Sequence, residues 1–152
     1  MTYTTAEGRQ QILDALAKAI DEIGYALASL GAAYEQLDVT TADKLEQELF
    51  GPVQRAYGRA KRAHSSFAER ASLTGSDFEI PSAGLPSTGV KGFVDHAVHA
   101  IGAAGGKLAT LQDSNAFLEV GDVELRKNVA EVRELVGDVP ARARELLRRL
   151  GR

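Results

Sequence analysis

Cysteine and tryptophan are absent from the 152 residues. Without a thiol there can be no disulfide, no thiolate nucleophile and no cysteine-ligated zinc or iron–sulfur centre, so only His, carboxylates and oxygen donors remain for metal chemistry. Long apolar runs are lacking too. The longest uncharged stretches, Ile23 to Tyr34 and His96 to Gly106, fall well short of the roughly 20 apolar residues that span a bilayer. Between Met1 and Gln11, Glu7 and Arg9 interrupt any apolar core of a secretory signal. No membrane contact is expected, and the cytoplasm is the expected location. A strong excess of one charge is missing as well: the net charge is -3, which fits neither a polybasic nucleic-acid binder nor an acidic disordered tail. No strand-like alternation occurs, and with it go the glycine-rich phosphate loop that follows a strand and the hydrolase elbow.

What the chain does have is an apolar residue every third or fourth position in four separate stretches. The first is Leu13, Leu16, Ile20, Ile23, Leu27, Leu30, Tyr34, Leu37, and the last is Leu125, Val129, Val132, Val136, Val139, Ala143, Leu146, Leu150. Between them lie Glu46, Leu49, Val53, Ala56, Ala60, Ala63, Phe67 and then Val90, Val94, Ala97, Ile101, Ala104, Leu108, Leu111. A repeat averaging about 3.5 residues keeps one stripe of a helix facing a neighbour over many turns. The expected fold is therefore all-α: one domain, 1–152, forming an up-down-up-down four-helix bundle with long, coiled-coil-like helices at about 4–37, 40–73, 88–113 and 120–150. Kinks are expected near Pro52 and Pro140, where a backbone donor is lost but the apolar phase continues. The Gly, Ser and Pro content of residues 74–89 marks one long loop, and its Phe78, Ile80 and Leu85 suggest that it packs down onto the helices. An extra turn fits around Phe117 and Leu118.

In an up-down-up-down order the C-terminal ends of the second and fourth helices share one end of the molecule. Ten of the eighteen basic residues would collect there: Arg55, Arg59, Lys61, Arg62, Arg70, Arg142, Arg144, Arg148, Arg149 and Arg152. Such a basic pole would suit an acidic protein partner, although complementing helix dipoles would produce the same layout with no ligand. No aromatic residue interleaves the last arginine run, so nucleic acid is not the expected partner.

Histidine offers two further patterns. Antiparallel packing would bring His64, His96 and His99 into one layer, with Asp95 close by, which is a possible metal-ligand set. However, the apolar ladder of the third helix leaves His96 and His99 on its outer side, no Glu-x-x-His pair is present, and no metal or other cofactor is expected. The run Arg59-Ala60-Lys61-Arg62-Ala63-His64 resembles the Arg-x4-His motif of HEPN-type helical ribonucleases. That resemblance implies a small helical bundle in which Arg59 neutralises an RNA phosphate and His64 acts as general base or acid. Ala60 stands where that family usually has a polar residue.

The feature that directs the functional expectation is an absence of charge where solvent should be. Opposite its seam the first helix presents Tyr25, Ala28, Ser29 and Ala32, and the third presents His99, Gly102, Ala103, Gly106, Ala109 and Thr110. A free helix surface normally carries Lys and Glu at such positions. Each helical Gly costs about 1 kcal/mol relative to Ala, so a compensating contact is expected. The expected interface is Tyr25, Ala28, Ala32, His99, Gly102 and Gly106. The expected function is non-enzymatic: self-association and partner binding of an adaptor or scaffold type, with a HEPN-like ribonuclease or a histidine-based metal site using His64 as the alternative.

Overall fold

The first helix begins where the sequence supplies its own cap. Thr4 Oγ1 accepts the Glu7 amide at 3.1 Å and the Glu7 carboxylate accepts the Thr4 amide at 3.4 Å. Two N–H groups that a helix start leaves unpaired are thereby satisfied reciprocally. The computed structural model describes residues 4–150; α1 runs Thr5–Tyr34. The chain then turns and is capped again by Asp38, whose carboxylate accepts the Thr41 amide at 2.8 Å. Next come α2 (Val39–Leu45), a π-helical turn (Glu46–Phe50) and α3 (Gly51–Arg70). After an extended segment and a 3-10 turn at Pro86–Thr88 follow α4 (Gly89–Asp113), α5 (Asn115–Val120), α6 (Val123–Val136) and α7 (Val139–Leu150). No strand occurs among the described residues. None of the helices is long and apolar enough to cross a membrane.

The backbone irregularities have local causes. Pro52 has no N–H with which to close a bond to the Glu48 carbonyl four residues earlier. Just before it the chain widens into the π turn, with the Gly51 amide donating to Glu46 O, and Arg142 Nη1 approaches the freed Glu48 oxygen at 3.4 Å. In the other proline-bearing stretch the helix is interrupted at Gly137 and Asp138, and α7 restarts with Pro140 in its first turn.

One apolar cluster fills the centre. Leu13, Leu16, Ile20, Ile23, Leu30, Leu49, Val53, Val94, Leu108, Leu125 and Val129 are all buried within it. Glu46, placed on the second seam by spacing, is exposed, as a carboxylate must be when no cation accompanies it inward.

Chain direction departs from the expected up-down-up-down order. The Tyr57 ring lies against Gly24 and the Phe50 ring against Gly31, so α3 runs antiparallel to α1. α4 also runs antiparallel to α1: Gln36 Nε2 donates to Pro86 O at 2.9 Å at one end, and Gln11 and Ser114 line one groove at the other. Arg70 pairs with Asp122, Arg59 with Glu131 and Arg142 with the Glu48 carbonyl, which sets α6 and α7 antiparallel to α3. The order is therefore up-down-down-up. α3 and α4 are parallel, and the segment between them is a crossover running the length of the molecule. It is long enough to do so: about 15 extended residues reach roughly 50 Å, against about 30 Å for a 20-residue helix such as α3.

The basic pole fails with the topology that produced it. Arg70 sits at one end, held by Asp122 and Glu124, while Arg142 sits at the other beside Glu48. α7 packs beside the π turn that precedes α3 and not beside the end of α3; Arg152 lies outside the described residues.

Ile23 is fully buried at the centre of the cluster. Ile23→Ala is expected to lower stability by about 2–5 kcal/mol in chemical denaturation, the usual cost of a buried large-to-small change. Lys18→Ala, at an exposed position, is expected to stay within about 0.5 kcal/mol of wild type.

Candidate functional site

α1 packs more extensively on α4 than any other pair of helices packs in the molecule. Small side chains make this close approach possible: Ala19, Ala26 and Ala33 of α1 and Ala97, Ala100 and Ala104 of α4 are all buried. On the flank of this pair the expected interface residues come together. Tyr25 stacks on His96 with ring centroids 6.3 Å apart, and its hydroxyl lies 3.4 Å from His96 Nδ1. Ala28 and Ala32 continue the Tyr25 side of α1 at helical spacing and are half-buried. Along α4, His99, Gly102 and Gly106 are exposed. A Cβ built on Gly102, Gly105 or Gly106 would meet nothing within 4 Å.

Towards the C-terminal end of α4 this flank deepens into a groove of about 610 Å³. Ile12, Ala15, Ala103, Gly106, Leu111 and Ala116 form its apolar part, with Gln11, Asp14, Lys18, Lys107, Thr110 and Ser114 also lining it. The α1 side of the groove escaped the reading of the sequence, although Gln11, Ala15, Lys18, Tyr25 and Ala32 stand at the helical spacings that continue one stripe. Ser29 does not belong to the exposed face. It is fully buried, and its hydroxyl has no hydrogen-bond partner among the described residues.

The three histidines are not brought into one layer. His96 is beside Tyr25, His99 faces outward one turn on, and His64 lies on α3 beneath the crossover. No group of three or more His, Asp or Glu side chains able to hold a metal occurs among the described residues. His64 is 1% exposed. The Phe78 ring meets it edge-on at 5.0 Å, and Gly75 passes close enough that a Cβ there would sit 3.3 Å from its ring. Its Nδ1 is buried without a hydrogen-bond partner among the described residues. Arg59 reaches the other way, to Glu131 of α6. The pair Arg59 and His64 is therefore split between two faces of α3, one engaged by a carboxylate and the other covered.

Electrostatics at these sites follow from packing. Burial pushes the His64 pKa below its ordinary 6.5, opposed by the negative charge of Asp14. The hydrogen bond from Arg70 holds the Asp122 carboxyl below its usual range, assisted by the Leu125 amide that it caps. No protein-family model, curated protein or solved structure matches this chain.

His64 makes stability depend on pH in a defined direction. The unfolded chain takes up a proton near pH 6.5 that the folded chain accepts only at lower pH. Its contribution to stability is complete above that value and is lost as pH falls below it. Denaturation midpoints measured between about pH 7 and pH 5 should therefore decline in wild type. In His64→Phe, which keeps the ring contact with Phe78 and removes the proton, the decline should be shallower; an unchanged slope would assign the effect to other groups.

Proposed function

We propose that this protein is a cytoplasmic, non-enzymatic four-helix bundle, bent at Pro52 and Pro140, whose copies associate through the flank formed by α1 and α4. The observation that carries this reading is the open space over Gly102, Gly105 and Gly106. Each glycine inside a helix costs about 1 kcal/mol relative to alanine. A close contact with a neighbouring helix in the same chain would account for such a run, and among the described residues nothing comes within 4 Å of a Cβ at these positions. A second backbone approaching the strip would account for it. His99, Gly102 and Gly106 stack one above another on α4, and Tyr25, Ala28 and Ala32 extend the surface sideways onto α1. Asp14, Lys18 and Lys107 are the charged side chains of the groove at one end of this surface. A patch that must meet its own copy pairs most simply about a two-fold axis.

The ribonuclease alternative draws no comparable support. Its general base would be the covered His64, and its phosphate-binding Arg59 already bonds Glu131.

Two substitutions test the association. Gly106→Glu would bury an unpaired carboxylate against its own copy and should convert a dimer to a monomer with unchanged circular dichroism. Gly106→Ala should weaken association if backbones meet there, whereas on an unoccupied face it should simply stabilise the fold by about 1 kcal/mol. Sedimentation velocity on wild type and both variants, with Ala130→Glu on the exposed side of α6 as control, separates the cases. A monomeric wild-type protein at micromolar concentration would remove this reading.

A further inference from the structure

On the side of the molecule formed by α3 and α6, three arginines of one helix gather around a single small hollow. Arg55, Arg59 and Arg62 stand at i, i+4 and i+7 on α3 and share one face. With Gln54, Gly58 and Leu135 they enclose a hollow of about 290 Å³ that no acidic side chain lines. Arg59 bonds Glu131, but Arg55 and Arg62 form no ion pair among the described residues. Gly58 is the floor. A Cβ there would meet only Arg62 Nη1, at 3.5 Å, so the guanidinium lies over bare backbone and the hollow stays open between the cations. Like charges at these spacings repel, and in a chain of net charge -3 nothing about solubility requires them.

We propose that this hollow binds a short linear polyphosphate anion, with Arg55 and Arg62 as its principal ligands and Arg59 as a third cation oriented by Glu131. Guanidinium forks match phosphoryl oxygens two at a time, which favours phosphate over a single-point anion. Seven residues of helix separate Arg55 from Arg62, about 10 Å, a length suited to two or three linked phosphates. The positive stretch also has ends. Glu131, Glu134 and Asp138 line the adjoining hollow on one side, which Arg55 and Arg59 border as well, and Asp77 lines that on the other beside Lys61. A long polyanion such as RNA would run onto those carboxylates, whereas a compact one stops short of them. A free polyphosphate and the phosphate tail of a nucleotide share this chemistry.

Isothermal titration of the full chain with sodium tripolyphosphate, orthophosphate and ATP, at about 0.15 M NaCl to screen diffuse attraction, tests the assignment. Tripolyphosphate should bind at least roughly tenfold more tightly than orthophosphate, because more charged hydrogen bonds form. The double variant Arg55→Gln/Arg62→Gln should lose roughly tenfold or more in affinity, while Arg144→Gln/Arg148→Gln, with the same change in net charge on α7, should bind as wild type. ATP binding more tightly than tripolyphosphate identifies a nucleotide as the source, and weaker or equal binding identifies the free anion. Equal losses in the two double variants, or no binding by wild type, overturn the proposal. Both α3 positions are exposed, so folding is expected to be unaffected and is checked by thermal melting.

Discussion

The segment between α3 and α4 has to return the full height of the molecule, because both helices run in the same direction. α1 packs on α3 and α4, and α6 packs on the same two, so these contacts form the four sides of a square with α3 and α4 on a diagonal. The crossover must therefore climb and change corners at once. It passes over α3 at His64 and reaches the top of α1 at Gln36 before α4 starts. Among the described residues no backbone–backbone hydrogen bond involves residues 74–84. What holds the segment down is side-chain burial by Leu73, Phe78 and Ala83. Phe78 and Gly75 of this strap lie against His64, so the strap contributes to the burial that lowers the pKa of that imidazole.

The same constraint sorts the charges. With α6 antiparallel to α3, the cationic end of α3 meets the acidic start of α6, and Asp122 serves at once as helix cap and as partner of Arg70. Such a pair is half-exposed, so its local electrostatic gain is small. Its more telling consequence is that Arg70 becomes unavailable to a ligand, which leaves Arg55 and Arg62 as the arginines of α3 without an ion pair among the described residues.

The apolar seams were legible because burial imposes a period, and Leu125, Val129, Val132, Val136, Val139, Ala143 and Leu146 are buried as that period requires. The Thr4 and Glu7 cap was legible because its chemistry is local. Direction was not, since a stripe of leucines buries equally well against a parallel or an antiparallel neighbour. Only the length of the segment 74–89 hinted at a crossover. The basic pole and the histidine layer inherited that ambiguity, being inferences about distant residues built on an assumed direction. The small-residue face was legible as a lack of Lys and Glu, whereas Ser29 was misplaced because a lone serine among alanines gives no signal of which side it is on. The α1 wall of the groove was missed because Gln11 and Lys18 look like ordinary surface until Ala103 and Gly106 are set opposite them.

The square also keeps the two candidate surfaces apart. The glycine-bearing flank belongs to the side shared by α1 and α4, and the arginine hollow to the side shared by α3 and α6, which is the opposite one. A dimer formed through the first would leave the second facing outward on both copies, with no cation brought near its symmetry mate. Sites separated by a packed core influence each other only if some element between them has two arrangements. The helices of the square are continuous through their middle thirds, and the irregular turns at Glu46–Phe50 and Gly137 lie towards one end. Association and anion binding should therefore be thermodynamically independent: a Gly106→Glu monomer should bind tripolyphosphate with wild-type affinity, and the Arg55→Gln/Arg62→Gln protein should sediment as wild type does. Coupling between them would mean that the crossover, the least hydrogen-bonded part of the fold and the part touching both α3 and α1, adopts a second position.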